Sequence, residues 1–261
     1  IYGERVLSFF SSNRMVANPG KTGLLVLRPM GSNVQKSKVE IRLGDATVHE
    51  SDVEKLLGVQ IQSNLKWNEQ TKKVKAELQY ALSVLQRLQP TLGKKDLKTI
   101  ANGIFMSRLR YALPVYGSAI LRLKETDSLP ADAKELQVLQ NDMLRLLTGN
   151  KRRDKVRITE MLRETNILSV NQLIAYGMLM EVWKAKEFDL PFLGSLLVRT
   201  SRSDERTLRS DSGSILSPAL PEYFSETSSC LWNMCSERFK TTNLLKIAQS
   251  EARKFVMTLP V

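Results

Sequence analysis

The chain has 261 residues, 42% of them hydrophobic and 25% charged, an ordinary globular balance that excludes disorder along its whole length. A folded chain of this size buries roughly three-quarters of its unfolded surface, enough for one large or two small domains. Its 39 Lys and Arg against 27 Asp and Glu leave a formal charge of +12. Such an excess attracts polyanions, with nucleic acid first, an acidic membrane surface second and acidic proteins third, unless it is no more than extra surface lysine.

The opening Ile1-Tyr2-Gly3-Glu4-Arg5 lacks an initiator Met, and Phe9-Phe10 leads into Ser11-Ser12-Asn13-Arg14 instead of a long apolar run. The start does not read as a signal peptide, and the chain reads as a piece cut from a longer one. The first 66 residues look strand-like. Leu24-Leu25-Val26-Leu27 is a short apolar run closed by Arg28-Pro29 and Gly31-Ser32-Asn33, and Val39, Ile41 and Leu43 alternate with Glu40 and Arg42. Gly44-Asp45 supplies a turn, Thr47-Val48 begins a return strand, and Leu57-Gly58-Val59-Gln60-Ile61 is a further one. Together they predict a small antiparallel sheet.

The period changes at Trp67. Val74, Leu78, Leu82, Leu85 and Leu88 recur at four- and three-residue steps up to Pro90, with Lys72, Lys73, Lys75 and Glu77 on the other face. A second helix is predicted from about Asp96 to Leu113 on the stripe Leu97, Ile100, Ile104, Phe105 and Leu109. A third runs from about Ala131 to Leu147 on Leu136, Leu139, Met143, Leu146 and Leu147, with Gly149 placed as its C-cap. Arg152-Arg153-Asp154-Lys155 interrupts the pattern. A short helix near Ile158–Arg163 and a longer one from Val170 to Lys186, stopped before Pro191, come next. Residues 199 to 221, rich in Ser, Arg and Asp, read as a linker, and a last helix covers about Leu244 to Val256. Cys230 and Cys235 are the only cysteines and His49 the only histidine. No disulfide framework is built from them, which fits a reducing compartment in cytoplasm or nucleus, and Cys-x4-Cys without a second pair is a poor metal site. No apolar run approaches the eighteen or so residues that span a bilayer, so no membrane partner is expected.

Asn18-Pro19-Gly20-Lys21-Thr22 first suggests a phosphate-binding P-loop. That motif needs a glycine where Met15 stands and a helix after the Lys-Thr pair, whereas an apolar strand pattern follows. A different match fits in order and spacing: Asn18-x-x-Lys21-Thr22 before a strand, the Gly44 hairpin, Leu57-Gly58-Val59 and Leu65-x-Trp67. Leu109-Arg110-Tyr111 and Leu136-x-x-Leu139-Gln140-x-x-x-Leu144-Arg145-x-x-x-Gly149 continue it. The series resembles the end of the palm and the thumb of non-LTR (LINE-type, jockey-like) retrotransposon reverse transcriptases. It covers residues 13 to about 186, and more loosely Arg199-Thr200-x-Arg202-Ser203 and Leu231-Trp232-Asn233.

The resemblance implies an α+β fold: a short antiparallel palm-edge sheet, a mostly helical thumb and a helical C-terminal region. Its divisions are a palm remnant over 1–66, a thumb over 67–150, a basic segment with helices over 151–198, the linker over 199–221 and a tail over 222–261. It places Asn18 and Lys21 in the vicinity of the incoming nucleotide's phosphates, where a lysine is a compact charge able to neutralise a departing oxygen. The alternative for Lys21 is a surface lysine beside a turn. Leu57, Gly58 and Val59 fall on the hairpin that holds the primer end, with Gly58 either admitting close approach of a strand or tolerated at a bend. Trp67 reads as a core anchor in preference to a base-stacking platform. Nucleic-acid contacts are expected from Lys72, Lys73 and Lys75 and from the run Arg145, Lys151, Arg152, Arg153, Lys155, Arg157 and Arg163, opposed only by Asp154 and Glu160. Without that context the run is a solvated loop.

Departures accompany the match. Polymerisation in this family uses two metal ions held by aspartates, and the aromatic-Ala-Asp-Asp box would precede Ile1; the first aspartate here is Asp45. The chain therefore holds no cofactor of its own on this reading, Mg2+ belonging to the missing motifs. Lys55 stands where an aromatic often precedes Leu-Gly, and Gln70 where a histidine commonly follows the tryptophan. The expected function is that of a reverse-transcriptase fragment, catalytically incompetent alone, that binds RNA template, RNA–DNA hybrid or DNA duplex. Its further partner would be the rest of the polymerase. The alternative is a helical protein-interaction scaffold adopted from a mobile element.

Overall fold

A computed structural model describes residues 2–16, 18–27, 38–43, 46–124, 130–191 and 224–261. The fold is α+β, with short sheets first and helices after them. It divides into two compact units, Ile1–Lys73 and Val74–Val261, the boundary falling inside one helix.

The N-terminal unit begins with a helix, α1 (Tyr2–Ser12), where the sequence pattern had suggested strands throughout. Val6, Phe9 and Phe10 recur at three and four residues, which is the helical period, and that period prevails over the β propensity of the individual residues. Five strands follow: β1 (Leu24–Leu25), β2 (Glu40–Leu43), β3 (Ala46–Ser51), β4 (Val53–Leu56) and β5 (Val59–Gln62). β2 and β3 pair antiparallel with Glu40 opposite His49 and Leu43 opposite Ala46, while the predicted Gly44-Asp45 turn lies outside the described residues. β1 adds to the other side of β3 in parallel, Leu24 opposite Glu50, so the three-stranded sheet is mixed. β4 and β5 form a separate antiparallel hairpin with Val53 opposite Gln62. The apolar run predicted as one strand from Leu57 to Ile61 is interrupted at its start. Leu57 and Gly58, at φ of 48° and 85°, are the two-residue turn between β4 and β5. Positive φ at both positions is what a tight hairpin needs to match the right-handed twist of its strands.

Helix α2 (Asn68–Leu88) starts beside that hairpin. Gln70 is buried, and its side-chain oxygen accepts the Gln60 N–H at 2.9 Å; the Glu69 N–H donates to Gln62 Oε1 at 3.1 Å. The departure from histidine at Gln70 thus gives the outer edge of β5 an acceptor. Trp67 is half-buried, and its carbonyl accepts from both the N–H and the hydroxyl of Thr71.

The C-terminal unit takes up the predicted stripe of α2, with Val74, Leu78, Leu82 and Leu85 buried and Leu88 half-buried. The helix predicted to Leu113 runs to Arg110. It comprises α3 (Lys94–Ala101), a π stretch over Asn102–Met106 and α4 (Ser107–Arg110), and then Ala112 at φ 52° turns the chain into α5 (Leu113–Gly117). Pro114 explains the stop: its ring has no N–H to donate and would strike the carbonyl of Arg110 in a continuous helix. Next come α6 (Ala131–Thr148), α7 (Ile158–Thr165) and α8 (Val170–Glu187). Gly149 ends α6 at φ 82° with its N–H on the Arg145 carbonyl at 2.9 Å, the left-handed cap its position predicts. Beyond residue 223 lie α9 (Phe224–Met234), α10 (Glu237–Thr241) and α11 (Leu245–Val256), the first two of which the sequence pattern had not disclosed. The predicted linker over 199–221 lies outside the described residues.

Helix α8 is the centre of this unit, buried on nearly every face and packed against α5, α6, α9 and α11. Ser169 and Gln172 exchange hydrogen bonds to form its N-terminal capping box. Asn171 donates to the carbonyls of Arg122 (2.7 Å) and Pro260 (3.0 Å) and accepts the Arg122 N–H at 2.8 Å, which ties the last residues of the chain to α8. Buried Gln140 on α6 donates to the Leu168 carbonyl at 2.9 Å. Trp232 and Phe239 stack at 5.3 Å, and Trp183 Nε1 donates to the Thr242 carbonyl at 2.9 Å, which fixes α9 and α10 against α8. Among the described residues no helix is long and apolar enough to cross a membrane.

Candidate nucleic-acid interface

Two of the predicted sites belong to the N-terminal unit. Asn18 opens a 3-10 turn over Pro19–Lys21: its side-chain oxygen accepts the Gly20 N–H at 3.0 Å, and its carbonyl accepts the Lys21 N–H and the Thr22 hydroxyl. The turn accounts for Asn18 without any ligand, because Asn side chains mimic a backbone turn in this way. Lys21 is carried at its end, exposed, and a strand follows as the rejection of the P-loop requires. On the hairpin, Leu57 is 82% exposed at the tip while Val59 is buried at the start of β5. Lys73 is half-buried and donates to the Gly58 carbonyl, so it braces the turn instead of standing in solvent with Lys72. Of the three lysines expected on the polar face of α2, Lys72 alone is fully exposed; Lys75, in the C-terminal unit, pairs with Glu135 at 2.7 Å.

The C-terminal unit gathers the predicted basic run into one place. The chain leaves α6 through the Gly149 cap, makes a 3-10 turn at Arg152–Asp154, passes Lys155 at φ 52° and enters α7 after Arg157. These reversals fold the segment around a groove of about 480 Å³ lined by Arg145, Lys151, Arg152, Lys155 and Arg157, with Ile158 and Thr159 of the first turn of α7. Among the described residues no acidic side chain lines it, and Val261 adjoins it. Asp142 lies behind, where it fixes Arg145 at 3.0 Å and Arg152 at 2.7 Å. Asp154 holds the turn by accepting the Lys151 N–H at 2.6 Å. Arg153 points to Asp154 at 3.9 Å and is not among the lining residues, and neither is Arg163. Lys151, Lys155 and Arg157 have no ionic partner among the described residues.

No family model, no curated protein and no solved structure matches this chain. The groove is therefore judged on its chemistry. Five cations and the unsatisfied N–H groups at the start of α7 converge on one concave surface, which favours anions through both full charges and the helix dipole. Elsewhere in this unit, burial pushes the Cys235 thiol up to about 12, which keeps it protonated and unreactive. Among the described residues no three His, Cys, Asp or Glu side chains stand together as a metal-binding group.

Proposed function

We propose that the chain is a reverse-transcriptase-derived module of the non-LTR retrotransposon type that binds template–primer nucleic acid through the phosphate backbone. The observation that carries this reading is the groove at the α6–α7 junction, where Arg145, Lys151, Arg152, Lys155 and Arg157 line one surface free of acidic side chains. Arg145 and Arg152 are pre-positioned by Asp142, and the other three keep their charges free for a ligand among the described residues. Contacts of this kind go to phosphates and are tolerant of sequence. Lys21 and the Leu57 tip, both exposed in the N-terminal unit, suit the roles that the resemblance gives them, beside the incoming nucleotide and at the primer end.

The test is an anisotropy titration of a labelled RNA–DNA hybrid against salt. With about four phosphates engaged, log K falls against log salt with a slope near −3.6. Lys155→Glu combined with Arg157→Glu reverses two unpaired cations and spares the Asp142 cluster, so it lowers affinity at least tenfold and flattens the slope. Charge reversal at Arg152 is a poorer probe, because it sets a carboxylate against Asp142 and disturbs the turn itself. Absence of binding at low salt overturns the proposal and favours a protein-interaction scaffold. Binding indifferent to the double reversal moves the site away from the groove.

A further inference from the structure

A second concavity in the C-terminal unit, about 340 Å³ in volume, takes its polar wall from three separate helices: Arg110 at the end of α4, Tyr176 on α8 and Arg253 on α11. Its remaining wall is apolar, formed mainly by Leu113, Pro114, Leu168 and Leu173. Arg253 is anchored through its guanidinium, which donates to the Asn166 carbonyl at 2.9 Å and to the Asn166 side-chain oxygen at 2.7 Å. Asn166 in turn caps α7 at φ 54°. Arg110 has no hydrogen-bond acceptor among the described residues, and no carboxylate lines the cavity.

Two guanidinium groups thus share a pocket without a counter-charge among the described residues. Arg110 keeps part of its side chain in solvent; its partial burial first, and then the charge of Arg253, lower its proton affinity. Burial raises that of Tyr176 against the pull of Arg253, Arg110 and Lys184, so the phenol keeps its proton and remains a donor. Like charges brought together in this way are costly unless an anion relieves them, and a planar guanidinium presents parallel donors suited to phosphoryl and carboxylate oxygens. The charge count selects among anions. Two arginines balance the two charges of a phosphate monoester, whereas a phosphodiester or a carboxylate leaves one positive charge over. The adjoining apolar wall accommodates an organic body, and the volume falls within the range of small-ligand sites.

We propose that this pocket binds a phosphate monoester, its dianion held between Arg110 and Arg253 with the Tyr176 hydroxyl as a further donor, and the esterified group lying on the leucine–proline wall. The inference is independent of the basic groove, since none of these polar residues lines it. Two sources supply the same chemistry: a free small monoester, or the terminal phosphate of a nucleic-acid strand. The second is within reach because Asn166 ends the helix whose first turn borders the groove, eight residues or about 12 Å away.

Calorimetric titration of the full chain with phenyl phosphate tests the proposal, with phenyl sulfate as the singly charged control of like shape. Saturable binding of phenyl phosphate is expected, at least fivefold tighter than phenyl sulfate. Arg110→Gln weakens it tenfold or more, and Tyr176→Phe, which removes only a hydroxyl, weakens it severalfold. Arg110 is exposed and the phenylalanine variant is close to isosteric, so failure of one to fold leaves the other as a test. Lys155→Glu with Arg157→Glu leaves phenyl phosphate binding unchanged, which separates this pocket from the groove. A 5′-phosphorylated oligonucleotide that outcompetes its 5′-hydroxyl counterpart, with the preference lost in Arg110→Gln, identifies a strand end as the source. Equal affinity for the two oligonucleotides identifies a small ester. No saturable binding of phenyl phosphate, equal binding of phenyl sulfate, or indifference to both variants overturns the inference.

Discussion

Leu57 holds a left-handed conformation at φ 48° with its side chain 82% exposed, so little packing offsets the backbone energy. That conformation costs an L residue roughly 1–2 kcal/mol, and Asn tolerates it better than a branched aliphatic residue does. Leu57→Asn is therefore expected to raise stability by about 0.5–1 kcal/mol in urea melts; a loss would show that the leucine is held by contacts its exposure conceals. Gly177 presents the opposite case. It lies inside α8, where propensity alone would favour alanine by about 1 kcal/mol. A Cβ there, however, would stand 2.5 Å from Pro114 Cγ of α5, just as one on Gly117 would stand 2.6 Å from Ile174 Cγ2 of α8. Overpacking a rigid ring between two helices costs about 1–3 kcal/mol, so steric conflict wins and Gly177→Ala lowers stability; a more stable variant would mean that α5 moves aside freely. Gly149 was legible from its place after an apolar stripe, because the cap geometry is local. From the residues alone Gly58 read as a strand glycine, and only the resemblance put it on a hairpin, since leucine before it hides the Asn-Gly signature by which a two-residue hairpin is usually recognised. Gly177 gave no signal, because its partner Pro114 is distant in sequence.

Element by element, the stripes that repeat over several turns were the readable ones. α2, α6 and α8 lie within two residues of their predicted limits: in α2 and α6 burying one apolar face fixes both the period and the phase, whereas α8, buried on nearly every face, is marked at its start by the Ser169–Gln172 capping box. α2 offers a direct contrast. Leu85 is fully buried, and Leu85→Ala is expected to cost roughly 2–5 kcal/mol by leaving a cavity. Lys72→Ala on the exposed face is expected to stay within about 0.5 kcal/mol. Equal losses at the two positions in urea melts would show that α2 is not anchored by this stripe. Lys73 does not serve as the neutral control its place in the lysine-rich face suggested, for it braces the Gly58 carbonyl. Where elements were missed, tertiary packing overrode local preference. Thr227, Ser228 and Ser229 are indifferent helix formers, yet α9 forms because Leu231 and Trp232 are fully buried against α8. The second predicted helix is present over Lys94–Arg110, with a π stretch inside it and an end three residues short of the predicted Leu113; the separate α5 beyond it packs on α8.

For the molecule as a whole, a site is readable from sequence to the extent that it is contiguous. The five cations of the groove come from one stretch between Arg145 and Arg157, so a count of charges finds them before any fold is known. The Arg110–Tyr176–Arg253 pocket is assembled from three helices far apart in the chain, and only their packing discloses it. The same contrast bears on catalysis. On the proposed reading, holding nucleic acid asks only for cations facing phosphates, which the basic groove and a charge of +12 would supply. Polymerisation of the type the resemblance implies requires aspartates that hold two metal ions, one to activate the primer hydroxyl and one to stabilise the departing pyrophosphate. On the resemblance that box would fall before Ile1, and residues 1–44 hold no aspartate. Retention without extension is therefore expected from this chain by itself: a labelled primer on an RNA template is shifted at low salt, but with deoxynucleotides and Mg2+ or Mn2+ it is not lengthened. The measurement is gel-resolved primer length after incubation with purified chain, with the Lys155→Glu, Arg157→Glu variant alongside. Extension by the wild-type chain that falls with that variant would mean that other carboxylates of this chain assemble a metal site, and the assignment of the missing motif would have to be abandoned.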